Sequence, residues 1–453
     1  INICDFINFI VVFKLTLCTT FTADASTGID PMLAGLAKTA INAAANAALS
    51  SLLPIPGGID ANGGLTSLLN MSDDWSTIYG VKYKGVTFGA SDVNVFVGVG
   101  RPDFSRPFSQ QSGLVGFGLQ NVSIAMGMFS AELPGPLGGI LGDILGIQDV
   151  FSFTAHADEM GVYGFGDVLK IVGRDITIDV NQGGHTNFGS FMKVLPRYDQ
   201  IHNNDGTIGL KIGTGGTPSL LTFGASEILG LDIGLADIVV ADFLYLHGSL
   251  AFRQGETYSV SVDMGGLAPM LEDLGTLTGT VLNPMPLQVN ALTLGGANLT
   301  GFAGVGGPYR YGEDLTGPNG APDGIPDLIN ENAVGVQVTN VDFGLALMTP
   351  VLKDAIPFLG QFDPTFISAK ATVESASLVG IDPKVMSVKA EDVEVNINTF
   401  FLAGSMVPPQ VNAALQLFGP PSINYKVSPS FKDYTEDTNG NGVLDLGEDK
   451  NGN

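Results

Sequence analysis

The chain has 453 residues, long enough for two to four ordinary domains. Acidic residues outnumber basic ones 45 to 20, a formal net charge of −25, which argues against nucleic acid or an anionic lipid surface as partner, since either needs a basic face. Hydrophobic residues make up 45%, enough for a sizeable core, while 61 Gly and 25 Pro weigh against a mainly helical chain and favour strands joined by turns. Cys4 and Cys18 are the only cysteines, so no disulfide framework holds the fold.

The apolar stretch from Ile3 to Phe21 is interrupted by Asp5, Asn8 and Lys14 and has no basic segment before it. It therefore reads poorly as a leader or a membrane span. Asp5-Phe6-Ile7-Asn8-Phe9 followed by Phe13 parallels Asp242-Phe243-Leu244-Tyr245-Leu246 followed by Leu250. Both read as the opening of a strand pair, which places the N-terminus inside a repeat. Asp30 then offers an N-cap with Pro31 at the first helical position; Leu33, Leu36, Ile41, Ala44, Ala48 and Leu52 follow, and Pro54 ends the helix. Pro134 to Leu145 and Gly266 to Leu274 are shorter helical candidates that flank the strands.

A long repeat runs through the rest. Phe88-Gly89-Ala90, Val93, Phe96 and Gly98-Val99-Gly100 recur 206 residues later as Leu294-Gly295-Gly296, Leu299, Phe302 and Gly304-Val305-Gly306. Leu119 to Ile124 recurs as Val338 to Phe343, Ala157 to Gly164 as Val373 to Gly380, and Asp175 to Asn181 as Asp392 to Asn398. Lys193-Val194-Leu195-Pro196 is matched to Lys426-Val427-Ser428-Pro429. The period is roughly 215 residues. It divides the chain into 1–83, the end of a preceding repeat with a helical insertion; 84–291, a first copy; 292–430, a partial second copy; and 431–453.

Inside each copy the apolar phase flips. Phe117 and Leu119 are followed by Val122, Ile124 and Met126; Val336 and Val338 by Val341, Phe343, Leu345 and Leu347. Strand faces alternate with period two, so each flip demands a bulge or a tight bend. The expected architecture is all-β, elongated and repetitive, solenoid-like or built of stacked sheets, with a few short flanking helices. Phe96 and Phe302 should both be buried, as should Val122 and Val341.

Asp437, Asn439, Asn441, Asp445 and Glu448 place side-chain oxygens at positions 1, 3, 5, 9 and 12 of a calcium loop, with Gly442 at the sharp turn and the Val443 carbonyl at position 7. Asp449, Asn451 and Asn453 begin a second loop in the same register. Asn319, Asp323, Ile325 and Asp327 form a third candidate, in which Ala321 spoils position 3. The first loop resembles the free-standing loops of dockerins and thrombospondin type 3 repeats, and Asp323-Gly324-Ile325-Pro326-Asp327 resembles the thrombospondin type 3 motif.

Catalytic signatures are missing: the sequence has no G-x-S-x-G, H-E-x-x-H, P-loop or C-x-x-C, and His156, His185, His202 and His247 share no ligand spacing. An enzyme is not expected. Asn70, Asn121 and Asn298 match the glycosylation pattern, but Asn121 reads better as the bend residue.

The F-x-G-V-G segment, Asn340 to Met348 and Ala376 to Asp382 resemble repeats of very large bacterial surface and adhesin-like proteins of the LEPR-XLL type. The resemblance implies an exported structural protein of the bacterial cell surface, with calcium as its ion. Self-association into a linear array is the expected partnership, and a surface glycan or protein is the alternative ligand. A lipid-conducting β-groove is a third reading, and it requires a continuous apolar channel. No membrane span is expected.

Calcium titration checks the loop. One ion should bind with a Kd of about 10⁻⁴–10⁻³ M, and Glu448→Ala should remove the calorimetric signal. An unchanged signal in the variant rules the loop out.

Overall fold

The computed structural model describes residues 2–3, 7–29, 69–135, 138–187, 189–224, 226–265, 284–312, 325–351, 364–402, 415, 417 and 419–432. The strands are, in order, β1 (Asn2–Ile3), β2 (Ile7–Ser26), β3 (Thr77–Val99), β4 (Val115–Glu132), β5 (Val150–Tyr163) and β6 (Leu169–Gly183). Five short ones follow: β7 (His185–Thr186), β8 (Gly189–Lys193), β9 (Leu195–Pro196), β10 (Leu210–Ile212) and β11 (Ser219–Leu221). Then come β12 (Ile228–Val240), β13 (Leu244–Asp263), β14 (Met285–Val305), β15 (Arg310–Tyr311), β16 (Leu328–Ile329), β17 (Val334–Pro350), β18 (Pro364–Val379), β19 (Lys389–Leu402) and β20 (Ser422–Ile423). Helix α1 spans Gly138–Leu145 and α2 Pro429–Lys432. The candidate helices after Asp30 and after Gly266 lie outside the described residues.

Fourteen strands form one sheet in the order β1-β2-β3-β4-β5-β6-β12-β13-β14-β17-β18-β19, with β9 on β2 and β20 on β13. The fold is all-β and repetitive. What reads in sequence as strand–bend–strand rungs is a set of single long strands, with register shifts inside the β2–β3, β3–β4 and β12–β13 ladders. Ile7–Ser26, the interrupted apolar stretch, is one of them. Strands of up to 23 residues are far longer than the usual five or six.

Six of the strands share one chemistry at the bend. Asp92, Asn121 and Asp175 are left-handed, with φ 54°, 51° and 52°; so are Asn298, Asn340 and Asp392, at 53°, 48° and 51°. Asn and Asp are the residue types that adopt this conformation at least cost. The β3–β4 register shifts between Ala90 and Val95, on either side of Asp92. Each extra residue reverses the alternation and so keeps the apolar set on one face. All three asparagines of the glycosylation pattern, Asn70 (φ 52°) among them, are such residues.

The copies agree in further detail. Asn121 Nδ2 donates to Asp158 (2.7 Å), and Asn340 Nδ2 donates to Glu374 (3.0 Å). Gly98 faces Gly116 on the neighbouring strand, where a Cβ on either would meet a carbonyl oxygen at 2.1–2.2 Å. Gly304 and Gly335 repeat that approach at 2.3 Å. Phe96 and Phe302 are both buried; Val122 is buried, whereas Val341 is only half-buried. Leu195–Pro196 pairs with the end of β2 as Ser422–Ile423 pairs with the end of β13. The short edge strand of the second copy is therefore Ser422–Ile423, a few residues before the Lys426 to Pro429 segment matched in sequence, because pairing follows the ladder and not the local composition.

Packing divides the chain into two compact units. The first comprises Ile1–Gly255, Thr293–Gly344 and Ala371–Val395. Its main core gathers Tyr83, Phe129, Met192 and Tyr198 at one end of β2–β5, with Leu141 and Leu145 of α1. Phe21 stacks on Tyr83 at 5.1 Å and meets Phe129 edge-on at 5.0 Å. Each such buried side chain contributes ~1.5–3 kcal/mol. A second cluster of Phe96, Phe108, Leu114, Tyr163 and Val172 covers the other end of the same face. The second unit comprises Glu256–Leu292, Leu345–Lys370 and Asn396–Asn453, with a core around Val289, Met348, Phe366 and Phe400.

Asn121→Val forces a β-branched side chain into the left-handed region and should cost ~1–2 kcal/mol in urea unfolding. Asn121→Gly should cost less, because only side-chain bonds are lost. Equal losses for both would remove the conformational explanation.

Candidate functional site

The register across seven strands builds an apolar face. Leu15, Phe88, Met126, Phe153, Val180 and Leu229 stand side by side on β2 to β6 and β12. The next row is Phe13, Ala90, Ile124, Ala155, Ile178, Leu231 and Phe252. Beyond the bends lies the row Ile7, Val97, Phe117, Val162, Ile171, Ile238 and Leu246. Leu119, Ile124, Met160 and Leu231 pack in one cluster with Val122, Ala157 and Ile176, so the rows on both sides of the bends share a face. Much of this face is open: Phe13 is 62% exposed, Leu17 67% and Met128 52%. At one end it stops at a polar rim, where Lys82 pairs with Glu132 (3.4 Å) and Ser130 donates to Asp149 (2.6 Å).

The opposite face carries the charges. Glu159 is buried at 3% exposure. Its Oε1 accepts from the Ser109 backbone (2.9 Å) and the Tyr163 hydroxyl (2.9 Å), and Arg174 Nε lies 3.4 Å from Oε2. Burial pushes the Tyr163 hydroxyl far up, and the adjacent Glu159 carboxylate pushes it further. Glu159 is the buried member of this pair, and Arg174 keeps its outer side in solvent. Arg174 also reaches Asp237 Oδ2 (3.4 Å), which Lys170 approaches at 3.7 Å, while His247 Nδ1 meets Asp237 Oδ1 at 2.7 Å.

Lys170, Arg174, Asp237 and His247 line a cleft of about 1050 Å³. The far side of the cleft is formed by Asn298, Thr300 and Phe302 of β14, Gln337 of β17, and Pro308 to Gly312 with β15. Thr300 and Gln337 are 6% and 3% exposed. Among the described residues, the Thr300 hydroxyl and the Gln337 side-chain carbonyl make no hydrogen bond. A buried polar atom without a partner is costly.

The metal residues expected from sequence are placed as follows. Asp437, Asn439, Asn441, Val443, Asp445, Glu448, Asp449, Asn451, Asn453, Asn319 and Asp323 lie outside the described residues. Ile325 and Asp327 are half-buried just before β16. Asn330, at the loop's twelfth position, donates to the carbonyls of Gly306 (2.7 Å) and Pro308 (3.3 Å) and so ties the turn at the end of β14. Among the described residues no three His, Cys, Asp or Glu side chains gather as a metal set.

The histidines are separate. His247 sits on Asp237; His185 meets Glu227 at 2.9 Å; His156, at the bend, lies 3.5 Å from Asp158 and 3.7 Å from Asp175. His202 lies in an isolated bridge to Ile208. Lys170, Arg174, Arg310, Tyr311, Thr300 and Gln337 carry no spacing signal in the sequence; only the strand register brings them together. No helix among the described residues is long and apolar enough to cross a membrane. No family model, curated protein or solved structure matches the chain.

Burial alone would raise the Asp237 carboxyl, but the His247 hydrogen bond and the charges of Lys170, His247 and Arg174 hold it below its ordinary 3.8. A depressed carboxylate stabilises the fold above its unfolded value, and that contribution is lost as pH falls through the folded one. Unfolding free energy should therefore drop below about pH 4, and Asp237→Asn should flatten that acid limb. Urea titrations at pH 3 and pH 7 on both proteins check it; parallel losses in the two would refute the role of Asp237.

Proposed function

We propose that the chain is a structural segment of an extracellular bacterial surface fibre, adhesin stalk or sheath, extended edge to edge by further strands and stiffened by calcium. The carrying observation is that β19 ends the ladder of the described strands. Its repeat counterpart, β6, lies between β5 and β12, whereas β19 has β18 as its one neighbour among the described strands. Residues 389–398 of β19 are all exposed. A bare edge is a template for pairing, and the strand it fits is one like β12, from another repeat or another molecule. An acidic sequence with 20 basic residues and two cysteines supports an exported setting, and the loop from Asp437 to Glu448 supplies the donor set for calcium.

Proline scanning of the edge tests the reading. Adjacent residues of an edge strand send their N–H groups to opposite sides, so one of Glu394→Pro and Val395→Pro removes an outward donor. That variant should stay folded and lose association in sedimentation, and a calcium chelator should loosen the array in solution scattering. A compact monomer indifferent to chelator and to both substitutions would defeat the proposal.

The bare apolar face favours a second reading, a β-groove that carries hydrocarbon chains. Displacement of a fluorescent fatty acid, weakened by Met128→Lys, would support it; absence of saturable uptake would end it.

A further inference from the structure

We propose that the cleft on the charged face is a binding site for an acidic oligosaccharide, a polyhydroxylated chain bearing carboxylates.

Four observations carry this. The first is charge. The chain has only 20 basic residues against 45 acidic ones, yet Lys170, Arg174 and Arg310 line this one cleft. Asp237 and Glu159 engage Arg174 closely, while Lys170 has a single ion-pair contact at 3.7 Å and is 45% exposed at its side chain. Arg310 uses Nη1 on the Pro326 carbonyl (3.2 Å). Ammonium has three donors and guanidinium five, so both retain donors for a carboxylate.

The second is hydroxyl chemistry. Gln337 Nε2 already donates to the Val338 carbonyl (2.9 Å), which leaves its oxygen as an acceptor without a donor. Less than 1 Å² of that oxygen is exposed, so a ligand hydroxyl donates to it only after the side chain turns; a carboxylate or phosphate oxygen has no proton to donate. The Thr300 hydroxyl takes either role, and a turn about its χ1 exchanges the methyl and the oxygen at the cleft wall.

The third is the aromatic mouth. Tyr311 is 46% exposed, and behind it Tyr245 and Phe302 pack with ring centroids 6.0 Å apart. A ring that is apolar on its face and polar at its tip suits a sugar, whose faces are apolar and whose edges carry hydroxyls. The fourth is size. About 1050 Å³ is at the upper end of small-molecule pockets and holds a chain rather than a single ring.

The test uses the full chain with two probes: oligogalacturonate and an uncharged galacto-oligosaccharide of equal length. Calorimetry should show saturable binding of the acidic oligomer and binding of the neutral one weaker by about tenfold or more. Tyr311→Ala should weaken both probes, whereas Lys170→Met should weaken the acidic one selectively. Both positions are solvent-exposed, and circular dichroism confirms that the variants fold. Binding of the neutral oligomer as tight as the acidic one would overturn the carboxylate assignment. No saturable binding of either probe, or binding unchanged by both substitutions, would overturn the site.

Discussion

One constraint governs this molecule: a strand shows its side chains alternately to two faces, and these strands are too long to hold an unbroken alternation. A left-handed Asn or Asp in the middle of a strand adds one residue to the count and returns the apolar set to the face it would otherwise leave. Asp92, Asn121 and Asp175 do this in the first copy, and Asn298, Asn340 and Asp392 in the second. Without them, Ile124 and Met126 would point to the side where Glu159 and Arg174 lie. In these six strands the separation of an apolar face from a charged one rests on these residues.

The two faces are finished differently. The charged face is covered by the chain's own loops: Phe108 caps one end, and Met192 with Tyr198 fills the other. A buried carboxylate survives there because Ser109, Tyr163 and Arg174 satisfy it. The apolar face has no such cover over the rows through Phe13, Leu15 and Met128. Apolar surface of this extent is costly in water.

Repetition explains both the cleft and the edge. Placing the second copy beside the first through β12 and β13 brings β14 and the loop after it next to the Arg174–Asp237 network, which one copy alone would not do. The same succession places β19 where β6 stood, as the last of the described strands in the ladder.

The phase flips and the bend at Asn121 were legible in the sequence, because period-two alternation and left-handed backbone are local properties. So were the all-β class and the repeat, although the match of Lys426 to Pro429 missed the paired strand at Ser422–Ile423, since composition does not report a ladder partner. The calcium loops rest on sequence spacing alone. The openness of the apolar face, the cleft, and the grouping of Lys170, Arg174, His247, Thr300, Arg310 and Gln337 came only with the tertiary structure. Those residues are scattered over some 170 positions and several strands, and which of them stand opposite one another is fixed by register. Register depends on every bulge and loop between them, and no single stretch of sequence encodes it.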